Sequence, residues 1–288
     1  VTGAGIVGDD DRSPRTLWAE EKLRRFSAAT THQILKRRGR SLGMWVGCGF
    51  PKSGTNWLCE LMGTSLGLPV PVDYQLPIMF KAVVHSHYVY DERMPQAIYI
   101  RRDGRDVMTS FYFYWTRALR LNKNPRFSQG IAQIFDDLYG PRFDPADVHG
   151  NLPKFIEFQM TVSPTTIGTP WHVHVRDWWD RPGVGHVSFE RLHTDPVDEM
   201  AQALAAAGAE VDRELVELAV QRHDFSRSAG RKAGQEDRGS FRRKGAAGDW
   251  RNHFTKEAGE VFDSYAGAAL VDFGYETDRD WFRTLSSS

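Results

Sequence analysis

Lys52 stands in the run Pro51-Lys52-Ser53-Gly54-Thr55-Asn56-Trp57, directly after an apolar stretch and directly before a helix-forming one. A strand that breaks into a Ser/Gly/Thr turn and then opens a helix turns the backbone N–H groups of Ser53 to Asn56 toward an anion. The helix dipole adds positive potential there, and Lys52 adds a full charge. A nucleotide-hydrolysing loop would read G-x-x-x-x-G-K-[ST]; here the lysine precedes the last glycine and no G-K-[ST] occurs anywhere. His85 and His87 lie two apart at the end of an apolar run, so strand alternation points both rings to one side. A near-neutral imidazole suits proton abstraction. Further on, Arg102 stands eight residues before Ser110, and Arg243-Lys244-Gly245 sits in a basic, glycine-spaced run. An arginine grips phosphate oxygens as a fork, and a glycine lets the backbone approach them closely. The chemistry these residue types suggest is the holding of a multiply anionic ligand beside a group that loses a proton.

Pro51 to Trp57 strongly resembles the 5′-phosphosulfate loop P-K-S-G-T-T-W of the cytosolic-type sulfotransferases, with Asn56 in place of the second threonine. Arg101-Arg102-Asp103-Gly104-Arg105-Asp106 onward resembles the same family's second motif, in which the arginine and serine at Arg102 and Ser110 hold a 3′-phosphate. Arg243-Lys244-Gly245-Ala246-Ala247-Gly248-Asp249-Trp250 resembles R-K-G-x-x-G-D-W at every defined position. Two further stretches fit. Trp171 to Trp179 is similar to G-S-W…H-x-x-x-W-W, and Phe189-Glu190-Arg191-Leu192 with Asp195-Pro196 is similar to Y-E-D-M-x-x-N-P. The resemblance runs from about Phe50 to Phe273.

It implies 3′-phosphoadenosine 5′-phosphosulfate (PAPS) as co-substrate, adenosine 3′,5′-bisphosphate as product, in-line transfer and no required metal. The donor would be held by Lys52, Ser53, Gly54, Thr55, Asn56, Arg102, Ser110, Arg243, Lys244 and Gly245. Phe189 and Trp57 would cover the two faces of the adenine. Lys52 would stabilise the leaving phosphate oxygen, and Ser110 would restrain that lysine until the acceptor arrives. The family's K-T-H maps onto His85-Ser86-His87, making His87 the base and putting His85 where a lysine normally steadies the sulfate. His172 and His174 read as structural, or as lining the acceptor pocket. Asp249 and Trp250 read as pinning their loop.

The elements that must position these residues follow from periodicity. Strands are expected at Met44–Phe50, Ala82–Val84, Ala97–Ile100 and Val187–Phe189; helices at Trp57–Leu66, Arg105–Leu119, Pro196–Ala207 and Asp212–Arg222. Strands alternating with helices predict a single α/β domain over residues 1–288, with a mostly parallel central sheet flanked by helices and a P-loop-like site beyond the strands' carboxyl ends. Residues 13–40 read as an N-terminal helical segment ending in Lys36-Arg37-Arg38. Residues 1–12, rich in Gly and Asp, read as mobile, and Arg227–Arg243 as a charged loop. Residues 122–169 read as an irregular excursion with a few short helices, where substrate-specific loops are housed.

The chain has 288 residues, 37 basic and 37 acidic, so no global field draws it to nucleic acid. Cys48 and Cys59 are too few to staple this length and read as buried thiols of a cytoplasmic protein. No apolar run is long enough to span a bilayer and no leader-like segment opens the chain. The arginine, alanine and glycine bias points to a bacterial source, with Val1 compatible with a GTG start read literally. Histidine and cysteine spacing matches no zinc motif. The acceptor is expected to be a small molecule. Phe80, Tyr88, Tyr90, Phe111, Phe113, Phe143 and Phe155 could line an apolar pocket for it, or could equally be core. The family's C-terminal dimer motif K-x-x-x-T-V-x-x-x-E meets Lys256 where valine is expected, which predicts a lost or weak dimer. Two other activities share part of the pattern. One is a nucleotide kinase, opposed by the missing G-K-[ST]; the other is a non-catalytic nucleotide binder, opposed by the joint presence of Lys52, His87 and Ser110.

Overall fold

The computed structural model describes residues 14–287 apart from 73, 123, 142, 163–167 and 225–245. The expectations for residues 1–12, for the 227–243 loop and for Arg243, Lys244 and Gly245 therefore lie outside the described residues. Four strands, β1 (Trp45–Gly49), β2 (Val83–Ser86), β3 (Gln96–Arg101) and β4 (Val184–Ser188), form one sheet in the order β2-β1-β3-β4. Every pairing is parallel. All five residues of β1 are buried, as expected for a central strand covered on both faces.

Register matters more for the site than strand length. Cys48 pairs with Ser86, Gly49 with Ile100, and Arg101 with Ser188. The residues that follow each strand, among them Lys52, His87, Arg102 and Phe189, thus leave the sheet along a single carboxyl edge, where open α/β sheets bind ligands.

Helices α1 (Pro14–Arg38), α2 (Thr55–Ser65) and α3 (Gly104–Leu121) are the expected ones. The 122–169 segment differs from expectation. It holds two full helices, α4 (Pro125–Tyr139) and α5 (Val148–Thr161), rather than a few short ones. Their signals are local. Asn124 caps α4 by accepting from the Phe127 N–H, with Pro125 in the first turn, and Asp147 caps α5 by accepting from the Gly150 N–H. Phe135 and Phe155 then pack with Tyr112 in the core, which obscures any simple apolar period. The chain continues through α6 (Trp171–Trp178), α7 (Phe189–Thr194), α8 (Pro196–Ala206), α9 (Arg213–Arg222) and α10 (Lys256–Asp272). Phe189, expected as the end of a strand, instead opens α7, because the Ser188 hydroxyl accepts from the Arg191 N–H and starts a helix there.

Two buried clusters cover the sheet. One combines residues of α2, α8 and α9; the other combines α3, α5, α6 and α10 with Trp250 and Trp281. Close approach of α2 to β1 depends on Gly47, where a Cβ would stand 2.4 Å from the Cys59 sulfur. Cys48 and Cys59 are free and buried, and burial pushes both thiols upward. Among the described residues, no helix is long and apolar enough to cross a membrane.

Candidate active site

The loop between β1 and α2 has the backbone of an anion cradle. The Ser53 N–H donates to the Phe50 carbonyl at 3.0 Å, closing a tight turn. Lys52 takes φ 71° and Gly54 φ 96°, both in the left-handed region. Alternation of this kind turns successive N–H groups to one side, and a non-glycine residue held there is a strained position of the type that collects at binding sites. Gly54 serves as N-cap of α2 and offers no side-chain cap, so the helix terminus stays available. A Cβ on Gly54 would also lie 2.8 Å from the Phe189 ring. Ser53 and Thr55 are buried, yet among the described residues the hydroxyls of both find no hydrogen-bond partner, and neither does the Trp57 indole N–H. Buried polar atoms are normally paired, so this cluster fits a ligand with several acceptor oxygens.

Lys52 is half-buried and its ammonium lies 4.4 Å from the centre of the Tyr114 ring. Tyr114 is one helical turn beyond the half-buried Ser110, so serine and tyrosine share one face of α3. The role of Tyr114 was not apparent from the sequence, since an aromatic in an aromatic-rich helix carries no signal of its own.

His87 leaves β2 with its Nδ1 2.6 Å from the Gly49 carbonyl. A carbonyl only accepts, so Nδ1 carries the hydrogen and the lone pair resides on Nε2. The His85 ring stands edge-on to His87 at 4.4 Å, on the same side as strand alternation predicts. Burial first, then the neighbouring His85 and Lys52, pushes His87 down to about 3, while burial lowers His85 to about 4. Both rings are therefore neutral at neutral pH.

The Trp171–Trp179 stretch acts as a clamp on the exit of β2. His174 Nε2 donates to the His87 carbonyl at 3.0 Å, Trp178 Nε1 donates to the Tyr88 carbonyl at 3.0 Å, and the Tyr90 N–H donates to Asp177 at 2.6 Å. With Nε2 donating, His174 Nδ1 accepts from the Tyr99 hydroxyl at 3.0 Å, which keeps this fully buried histidine neutral; burial lowers it to about 4. His174 is thus structural, and what it supports is the backbone of His87. Trp171 Nε1 donates to the Arg102 carbonyl at 3.2 Å, fixing the second motif in the same way.

Arg102 is buried and bridges the Pro51–Trp57 loop and the start of the Ala246–Trp250 stretch. Its guanidinium donates to the Lys52 carbonyl at 3.2 Å and to the Ala246 carbonyl at 3.1 Å, while its Nε has no partner among the described residues. It also lies over the Phe189 ring at 4.2 Å. Phe189 and Trp57 meet edge-on at 6.0 Å and 78°, so in this structure they are not the two parallel walls expected around a base. Arg102 occupies the position over the phenyl ring instead.

Asp106, unremarked in the sequence beyond its place in an Arg/Asp-rich turn, holds the third motif. Its carboxylate accepts from the Gly248 N–H at 2.7 Å and the Trp250 N–H at 2.9 Å. Trp250 in turn lies against the Arg105 guanidinium at 3.8 Å, and Arg105 pairs with Asp103. Trp250 therefore pins its loop, as expected. Glu190 plays the matching part on the other side, accepting from the Asp103 N–H at 2.9 Å.

Beside the histidine pair lies a cavity of about 490 Å³ lined by His85, Ser86, His87, Tyr88, Asn56, residues from α1, and Pro71, Val72 and Tyr74. Of the aromatics considered for such a pocket, Tyr88 lines this one. Phe111, Phe113 and Phe155 are core, and Phe80 is exposed. Among the described residues no cluster of His, Cys, Asp and Glu could hold a metal ion.

Residues 79–274 match the family model of the sulfotransferase domain. Human sulfotransferase 2A1 is 24% identical, the alignment covering 79% of this chain and 84% of the human protein; dog sulfotransferase 1A1 is 22% identical over 75% and 79%. Among solved structures, mouse sulfotransferase SULT7A1 complexed with PAP superposes with a TM-score of 0.58 at 19% identity, covering 86% of this chain and 94% of that one. Retinol dehydratase in complex with androsterone and inactive cofactor PAP superposes with 0.52 at 16% identity, covering 81% and 82%. The fold is shared with these structures, and with more than half of its length matched by the domain model, the chain belongs to the sulfotransferase family.

Proposed function

We propose that this protein transfers the sulfuryl group of PAPS to the hydroxyl, or amine, of a small apolar or aromatic acceptor in a reducing cytoplasm, with His87 as base. The observation that carries the reading is that the buried donors Ser53 Oγ, Thr55 Oγ1 and Trp57 Nε1 have no partner among the described residues, in the segment that turns left-handed at Lys52 and Gly54. Such donors match the oxygens of a phosphosulfate. Arg102, Ser110, Arg243, Lys244 and Gly245 would hold the 3′-phosphate, and Asn56 would face the transferring group from the acceptor side, where it lines the cavity.

The donor supplies an activated sulfuryl group, and the chain supplies position and proton transfer. As the acceptor oxygen forms its bond to sulfur, its proton passes to His87 Nε2, the ring nitrogen left free by the Gly49 carbonyl. The bond from sulfur to the 5′-phosphate oxygen breaks, and the charge gathering on that oxygen is met by the Lys52 ammonium and the loop N–H groups. His85, neutral beside His87, leaves the sulfate contact that a lysine would make to be supplied by Lys52.

Thermal stabilisation by adenosine 3′,5′-bisphosphate, against ADP and ATP at matched concentrations, tests the donor half of the reading. At about a hundred times its dissociation constant the bisphosphate adds roughly 2.7 kcal/mol. Equal stabilisation by ADP or ATP would show that the 3′-phosphate is not read, and would bring a kinase-like activity forward.

A further inference from the structure

Large apolar side chains are spread unevenly over the surface. Among the described residues six are more than half exposed, and four of the six, Val72, Leu76, Met79 and Phe80, fall within one short segment at 52% to 75% exposure. Single exposed apolar residues are ordinary, but a group of them marks a surface that meets another phase or molecule. The described residues of this segment belong to no helix or strand, and it is held from beneath. Ile78 is buried, Tyr74 is half-buried, and the Ile78 N–H donates to Thr31 Oγ1 on α1 at 3.0 Å.

The surroundings of the segment are cationic, although the chain as a whole is neutral. Lys36 to Gly43 and Pro71 to Arg93 together hold six basic residues and three acidic ones, Asp73, Asp91 and Glu92. Asp91 is matched by Lys36 at 2.9 Å and by Arg93 at 2.7 Å. The other four cations, Arg37, Arg38, Arg40 and Lys81, are all exposed. Arg38 stands about two helical turns beyond Thr31, on the face of α1 that carries the Ile78 contact. Lys81 follows Phe80 directly and lies beside Gly43, where a Cβ would stand 3.4 Å from its side chain. The end of α1 and the end of the apolar segment thus carry their positive charge together.

A strip of large apolar side chains flanked by cations suits the interface of an anionic bilayer. There the apolar groups enter the acyl boundary while guanidinium and ammonium groups meet lipid phosphates. A second copy of the chain would instead bring another set of the same cations to the contact. Nucleic acid would answer the charge and leave the apolar strip without a partner. We propose that the Val72–Phe80 segment, with the end of α1, is a docking surface for an anionic phospholipid membrane. Val72 also lines the cavity beside His87, so docking carries that opening to the lipid surface. The proposal does not depend on which reaction the site performs.

The test is co-sedimentation of the full chain with phosphatidylcholine vesicles, with and without about a third phosphatidylglycerol, at low and raised salt. Wild type is expected to partition at least about tenfold more strongly onto the phosphatidylglycerol vesicles, and raised salt to remove most of that gain. The triple variant Leu76→Ser, Met79→Ser, Phe80→Ser is expected to bind those vesicles at least about tenfold less, with its melting temperature unchanged. The double variant Arg37→Glu, Arg38→Glu removes no apolar group. It is expected to lose about tenfold on phosphatidylglycerol and nothing on phosphatidylcholine, and it decides the matter should the serine variant fail to fold. Wild type that stays in the supernatant, equal binding to both vesicle types, or variants that sediment like wild type overturn the docking surface. So does a dimer in light scattering that the serine variant dissociates, which would assign the strip to self-association.

Discussion

A histidine accepts a proton only through a ring nitrogen that carries none, so the identity of its other partner decides whether it can act. For His87 that partner is the Gly49 carbonyl, at 2.6 Å. If His87 is the proposed base, His87→Ala is expected to lower kcat by about 10²–10⁴ while leaving the bisphosphate's thermal shift intact, because the ring would then serve the acceptor and not the donor. Lys52→Ala should lower kcat and also shrink that shift. Near-wild-type turnover in His87→Ala would remove it as the base. The same burial has a stability consequence with a definite sign. His87 is pushed down to about 3 in the folded chain and returns to an ordinary 6.5 on unfolding. Its contribution is complete above 6.5 and is lost as pH falls toward 3. Between pH 6.5 and 5 the loss amounts to about 2 kcal/mol, roughly 4 °C in Tm. Melting curves of His87→Gln should accordingly fall less steeply over this range than those of wild type; parallel curves would mean that the ring does not stay neutral when folded.

At the scale of elements, the proposed phosphate motifs are held to one another by side chains bonded to the protein's own backbone. Asp106, in the first turn of α3, holds the N–H groups of Gly248 and Trp250. Asp106→Ala should cost about 3 kcal/mol, the worth of two backbone hydrogen bonds to a buried carboxylate, read from the urea midpoint. It should also weaken bisphosphate binding, since the turn leading out of Arg243–Gly245 would lose its anchor. An unchanged midpoint would show that these bonds add nothing net. Helix α6 works in the same manner on β2, with donors from His174 and Trp178 fixing the carbonyls of His87 and Tyr88. The Trp- and His-rich spacing of that helix was legible in the sequence, but its target was not, because residues 87 positions apart meet only through the crossover of the sheet.

On the scale of the whole molecule, the remaining expectation concerns association. Lys256 opens α10 with its side chain 46% exposed, 3.9 Å from Glu260. A charge at the centre of a small apolar interface must lose its water without compensation, so light scattering is expected to give a monomer, and Lys256→Val to favour a dimer. A wild-type dimer that Lys256→Val does not tighten would count against this.

Much of the proposed site could be read from the chain because the pattern that suggests it is local. A glycine in a left-handed turn, a lysine beside it and a helix immediately after make an anion cradle within a few residues, and these were evident at Lys52–Thr55. The alternation of strands and helices likewise implied a parallel sheet and a carboxyl-edge site, since apolar runs and turn residues are short-range signals. Long helices in 122–169 were missed because their caps are single residues and their buried faces are aromatic clusters shared with α3. What only the tertiary structure decided are relations across distance: the tautomer of His87, set by a carbonyl of the next strand; the clamp from α6; the bridge of Arg102 between two motifs; and the placing of α1 against the histidine pair. Each depends on which elements lie adjacent. Adjacency is a product of core packing, and the side chains that report it are ordinary until they are brought together.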